Sequence, residues 1–134
     1  MTIKNEKYID KVLLTFGHNK PTKRQLSPPK NWPITYGAKS QIALNKDTSP
    51  KLNESRIKLV QWIIGALLYY ARNVDNKPLI SLSDIGAQQA ADTQETAGAV
   101  IQLLNYVATY PDDGITYHSS GMVLTTLADA WYFN

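Results

Sequence analysis

The run Trp62-Ile-Ile-Gly-Ala-Leu-Leu-Tyr-Tyr-Ala71 holds no charged residue, and no other stretch of this 134-residue chain restricts its folding as much. A bilayer-spanning helix needs roughly 18 or more apolar residues, so a run this short has to be covered by protein instead. The apolar residues Ile57, Val60, Ile64, Leu67, Leu68 and Ala71 mark one face of a helix from about Glu54 to Asn73, with Asn53 as its N-cap. Trp62, Ile63 and Tyr70 widen that face until most of the circumference calls for cover.

The segments on either side are read from their punctuation. Tyr8, Ile9, Val12, Leu13 and Phe16 recur at helical spacing, which predicts a short helix over 5–16 stopped at Gly17. Residues 18–53 contain Pro21, Pro28, Pro29, Pro33 and Pro50 with almost no hydrophobic period, and they read as a long arm that is mobile unless something holds it. Asn73-Val-Asp-Asn-Lys-Pro78 breaks the central helix, and Pro78 stands where the first turn of a helix tolerates proline. A third helix follows through Leu79, Leu82, Ile85, Gly86 and Ala90. Asp92-Thr-Gln-Glu95 offers a capping acid with a glutamate three residues on, opening a fourth helix through Ala97, Val100, Ile101, Leu104 and Val107. Pro111-Asp-Asp-Gly114 ends that helix with turn chemistry. Ile115 and Tyr117 then alternate with polar neighbours, and Met122 to Phe133 supplies a second strand. The expected fold is α+β and predominantly α: a short N-terminal helix, an extended Pro-rich arm, a three-helix bundle and a C-terminal β-hairpin.

Charge divides the chain. Residues 1–60 carry twelve Lys or Arg against four acids, a surplus of +8, whereas 61–134 carry two against seven, a deficit of −5. A basic segment able to meet a polyanion is thus joined to a half of opposite sign, and a solvated arm with no ligand is the alternative that charge leaves open. The chain has no cysteine and only His18 and His118, which excludes disulfides, cysteine nucleophiles and the usual zinc sites. The amino terminus lacks the apolar core of a signal peptide, which predicts an intracellular protein, in cytoplasm or nucleus, with no membrane partner. No Walker loop, dinucleotide glycine motif, G-x-S-x-G elbow or H-E-x-x-H helix occurs. Asp112-Asp113 before Gly114 reads as a turn, and Tyr69 and Tyr70 read as core packing more readily than as base-stacking residues. Asp129 interrupts the apolar run Val123 to Phe133. It fits an end-of-strand surface residue, although a strand-borne carboxylate also suits Mg²⁺.

In order, Tyr8-Ile-Asp-Lys-Val-Leu-Leu-Thr-Phe16, Lys20-Pro-Thr-Lys-Arg-Gln-Leu-Ser-Pro28, Tyr36-Gly-Ala-Lys39, Gly65-Ala-Leu-Leu-Tyr-Tyr-Ala-Arg72 with Val74-Asp75, and Gly114-Ile-Thr-Tyr117 followed by Met122-Val-Leu124 resemble copia-like retrotransposon polyproteins. The similarity is to the segment between the reverse-transcriptase palm and ribonuclease H, and it covers essentially the whole chain. It implies a division into 1–17, resembling the end of the palm; 18–53, a basic connector; 54–111, a helical bundle like the thumb and connection; and 112–134, the start of ribonuclease H. Lys20, Lys23, Arg24, Lys30 and Lys39 would then contact phosphates, with Trp32 and Tyr36 available to stack on bases. Asp129 would correspond to the first metal-binding carboxylate of ribonuclease H, an incomplete site here. Ala128 and Trp131 stand where the family has serine. The resemblance implies a polymerase Y-x-D-D motif upstream of residue 1 and further carboxylates beyond Asn134. It therefore implies Mg²⁺ for the parent enzyme, no cofactor and no catalysis for this chain alone, and as partners an RNA–DNA hybrid or primer-template together with the neighbouring polyprotein domains. A helical protein-interaction module without nucleic-acid function is the competing reading.

Overall fold

The computed structural model of the chain describes residues 1–5, 7–29, 48–87, 93–119 and 121. Their element order is β1 (Thr2–Ile3), α1 (Tyr8–Thr15), α2 (Glu54–Asn73), α3 (Leu79–Ala87), α4 (Gln94–Thr109) and β2 (Ile115–Thr116). The described residues are thus α+β and mainly helical. None of their helices is long and apolar enough to cross a membrane.

Each helix boundary has a local cause. Helix α1 ends in two bonds, from Gly17 N–H to the Leu14 carbonyl at 3.2 Å and from His18 N–H to the Leu13 carbonyl at 2.9 Å. This Schellman closure needs a left-handed residue, which Gly17 supplies with φ 63°. Asn53 caps α2 by accepting from the Arg56 N–H at 3.0 Å. At the far end Asp75 Oδ1 accepts from the Lys77 N–H at 3.2 Å, and the Pro78 carbonyl accepts the first-turn bond from Leu82 N–H. Pro78 is fully buried, so the corner it makes belongs to the core. The cap of α4 is Thr93, whose hydroxyl accepts from Thr96 N–H, where the sequence pattern favoured Asp92 one residue earlier. Asp92 and Ala90, the expected end of α3, lie outside the described residues.

Helix α2 is the centre of the core. Its Val60, Ile63, Ile64, Leu67, Tyr70 and Ala71 are buried. They meet Ile9, Val12 and Leu13 of α1, Leu82 and Ile85 of α3, and Val100, Leu103, Leu104 and Val107 of α4 in one hydrophobic cluster. The expectation of cover on nearly all sides is corrected at Trp62, which is 72% exposed, and at Leu59 and Tyr69, which also face outward. Burial follows the single stripe of a surface helix, and Leu59, Trp62 and Tyr69 lie outside it.

The strand pairing also departs from expectation. β2 pairs antiparallel with β1, Thr2 opposite Thr116 and Ile3 opposite Ile115, so its described partner is the amino terminus. A Cβ at Gly114 would overlap the Ile3 carbonyl, so this close approach requires glycine. The second strand expected at Met122 to Phe133 lies outside the described residues.

The contrast between the two faces of α2 is testable. Leu67 is fully buried, and Leu67→Ala is expected to lower unfolding free energy by about 2–5 kcal/mol in urea titrations. Trp62→Ala is expected to change it by no more than about 0.5 kcal/mol, as for a surface side chain. Comparable losses in both variants would contradict the exposure of Trp62.

Candidate nucleic-acid interface

The described part of the arm is fastened at several points. His18 Nε2 donates to Asn105 Oδ1 at 2.7 Å, since an amide oxygen can only accept. Gln25 N–H donates to Thr109 Oγ1 at 3.1 Å, and the same hydroxyl donates to the Asn105 carbonyl at 2.8 Å. The stretch 18–25 therefore runs across the C-terminal turns of α4. Further on, Ser81 Oγ of α3 donates to the Pro29 carbonyl at 3.1 Å. The returning end is fixed as well. Gln94 N–H and Glu95 N–H, two first-turn donors of α4, find the Pro50 carbonyl at 3.0 Å and Ser49 Oγ at 3.3 Å.

Between the His18 and Gln25 anchors the structure brings together Lys20, Lys23 and Arg24, all exposed. Lys20 is not a free cation, because its Nζ lies 2.7 Å from Asp10 Oδ1 of α1. That pair is about half exposed and adds little stability, yet it removes net charge from one of the five expected phosphate contacts. Lys23 and Arg24 make no ion pair among the described residues. Lys30, Trp32, Tyr36, Lys39 and Asp129 lie outside the described residues.

A second polar cluster forms where α2, the α2–α3 corner and the end of α4 meet. Lys77 Nζ bonds Asp113 Oδ2 at 2.6 Å and sits 6.0 Å from the centre of the Tyr110 ring. Tyr70 donates its hydroxyl to the Asp113 carbonyl at 3.3 Å. The bond to Asp113 holds the Lys77 ammonium above its usual pKa. Burial pushes the Tyr70 phenol up to about 12, and the carboxylates of Asp75, Asp113 and Asp112 add to the shift. Burial likewise raises Tyr106.

Tyr110-Pro111-Asp112-Asp113 of this cluster spells Y-x-D-D, a match inside the chain that the resemblance places upstream of it. Here the four residues form the turn after α4, and Asp113 is neutralised by Lys77. Among the described residues no group of three or more acidic, histidine or cysteine side chains could hold a metal. Tyr70 is core, as its helix position suggested, whereas Tyr69 is 56% exposed and leans on Tyr8 with ring centres 5.7 Å apart.

Sequence reasoning missed the anchors of the arm. Asn105 and Thr109, a polar pair at i and i+4 on the apolar half of α4, were the available signal. Their partners lie more than eighty residues away, where no local pattern reaches. Compared with protein-family models, curated proteins and solved structures, the chain finds no match.

The Tyr70 phenol gives a pH prediction. With its folded pKa above the unfolded value of 10.0, its contribution to stability is complete below about pH 10 and is lost as pH rises through about 12. Denaturant midpoints measured from pH 9 upward are expected to fall less in Tyr70→Phe than in the parent over that window. Parallel profiles would contradict the burial of this hydroxyl.

Proposed function

We propose that this chain is a segment of a copia-like reverse transcriptase. It runs from the end of the palm through a basic Pro-rich connector and a three-helix bundle to the start of ribonuclease H. It binds an RNA–DNA hybrid or primer-template inside the cell, in cytoplasm or nucleus, without catalysing alone. The observation that carries this reading is the fastened cationic stretch. Lys23 and Arg24, with Lys20 beside them, are displayed between two hydrogen-bond anchors on α4. A cationic segment ordered before binding loses less conformational entropy on meeting a phosphate backbone than a free one does. Lys30 and Lys39 continue the charge along the sequence, and Trp32 and Tyr36 supply rings on which bases stack. In this reading Asp129 is a residual carboxylate of an incomplete Mg²⁺ site that neighbouring polyprotein domains would complete.

A helical protein-interaction module is the second reading. The exposed Leu59, Trp62 and Tyr69 favour it, because together they leave apolar surface open to solvent.

Fluorescence anisotropy with a labelled RNA–DNA hybrid separates the two. Binding is expected at low salt, weakening steeply as salt rises and depending little on sequence. Replacing Lys20, Lys23 and Arg24 by Gln is expected to reduce the slope of log affinity against log salt by about 2 to 3, and adding Lys30→Gln and Lys39→Gln reduces it further. Absent binding at low salt, or binding indifferent to all five substitutions, would overturn the proposal in favour of the interaction module. Hybrid cleavage in Mg²⁺ that disappears in Asp129→Asn would overturn its non-catalytic part.

A further inference from the structure

One side of α2, running from solvent to the edge of α1, carries Leu59, Trp62, Ala66 and Tyr69, which stand at i, i+3, i+7 and i+10. This alternation of three and four residues is the spacing of a seam that receives another helix. Leu59 is 43%, Trp62 72% and Tyr69 56% exposed; Ala66 between them is half-buried, and the Tyr8 ring leans on Tyr69 with centres 5.7 Å apart, so α1 borders the seam and leaves its solvent side open. Beside it, α1 and α2 enclose an apolar depression of ≈ 230 Å³, walled by Tyr8, Val12 and Phe16 with Ala66 opposite. Tyr8 ties the two helices together there, since its hydroxyl donates to the Ala66 carbonyl at 3.1 Å. The depression and the seam thus form one continuous surface between two fixed helices.

Among the described residues, the charges around this surface leave one sign over. Lys11 lines the depression, and Arg72 lies one turn beyond Tyr69; neither makes an ion pair among the described residues. Lys58, one turn before Trp62, bonds Glu54 at 3.0 Å in an exposed pair. The neighbouring acid on α1, Asp10, is engaged by Lys20. Among the described residues, an approaching partner thus meets apolar side chains at helical spacing flanked by two cations without an ion pair, Lys11 and Arg72.

We propose that this surface docks an amphipathic helix of a partner protein, with aliphatic residues along its seam and acidic residues on its flanks. A second copy of this chain fits less well. Glu54, the acid nearest this face on α2, is already engaged by Lys58, so among the described residues a second copy brings no unengaged acid of α2 to meet Lys11 and Arg72. A nucleic-acid strand would match the cations but has no use for a seam of three-and-four spacing. The proposal stands apart from hybrid binding by the arm, and either can fail without the other.

The test uses the full chain carrying Trp32→Phe and Trp131→Phe, which leaves Trp62 as the only one of the three tryptophans. Two synthetic peptides of about three heptads carry Leu along the seam, one with Glu on both flanks and one with Lys. The Glu peptide is expected to shift Trp62 emission to the blue, saturably, and to bind about tenfold or more tightly than the Lys peptide. Trp62→Ala, followed by an end label on the peptide, is expected to weaken binding by about tenfold or more, with the circular dichroism of the protein unchanged. Lys11→Glu with Arg72→Glu is expected to narrow or reverse the preference between peptides. Equal affinity for both peptides, or no binding of the Glu peptide, overturns the proposal. So does a Trp62 already shielded from acrylamide in the free protein, which would mean that another part of this chain covers it. Self-association abolished by Trp62→Ala would assign the surface to a second copy, and protection by a single-stranded oligonucleotide alone would assign it to nucleic acid.

Discussion

Burial of one stripe of α2 is the constraint on which the described structure depends. A helix of 20 residues extends about 30 Å at 1.5 Å per residue, whereas α1 and α3, with 8 and 9, reach only about 12 to 14 Å. Neither can cover the stripe, so cover comes from three sides, with the longer α4 touching α1, α2 and α3. Tyr70 stands at the junction, fully buried, with its ring stacked on Tyr8 of α1 and its hydroxyl tied to the Asp113 carbonyl beyond α4. Because α4 is held by this packing, its Asn105 and Thr109 become fixed points for the arm.

Features whose causes are local were legible in the sequence. The cap at Asn53, the stop at Gly17, the corner at Pro78 and the turn at Pro111 to Gly114 each depend on chemistry within a few residues. What escaped depends on distant partners. The pairing of Thr2–Ile3 with Ile115–Thr116 joins two-residue strands over a hundred positions apart, too short for periodicity to show. The shift of the α4 cap from Asp92 to Thr93 goes with an isolated bridge between Lys51 and Thr93, which brings the returning arm to that point. The outward placing of Trp62 contradicts its hydrophobicity, and only the supply of covering helices decides it. At the candidate interface, the cationic character of Lys20, Lys23 and Arg24 was readable from composition. The pairing of Lys20 with Asp10, and the anchors either side, were not.

Two surfaces of the described residues are opposite in kind. The arm displays cations on hydrogen-bonded backbone, which suits a polyanion read by charge. The α1–α2 surface is apolar with a cationic rim, which suits a partner recognised by shape and spacing. A chain lying between other domains of a polyprotein would have use for both. The proposed retrotransposon origin rests on the ordered sequence resemblance, whereas the structure shows that the described stretch 18–25 is held against α4 through Asn105 and Thr109.

Amide hydrogen exchange of the full chain, with and without a saturating RNA–DNA hybrid, tests the central claim most directly, because one experiment reports on both surfaces. The account predicts slowed exchange across His18 to Ser27 on adding hybrid and no change along Leu59 to Tyr69. Unchanged exchange in the arm, or protection confined to the outer face of α2, would contradict it.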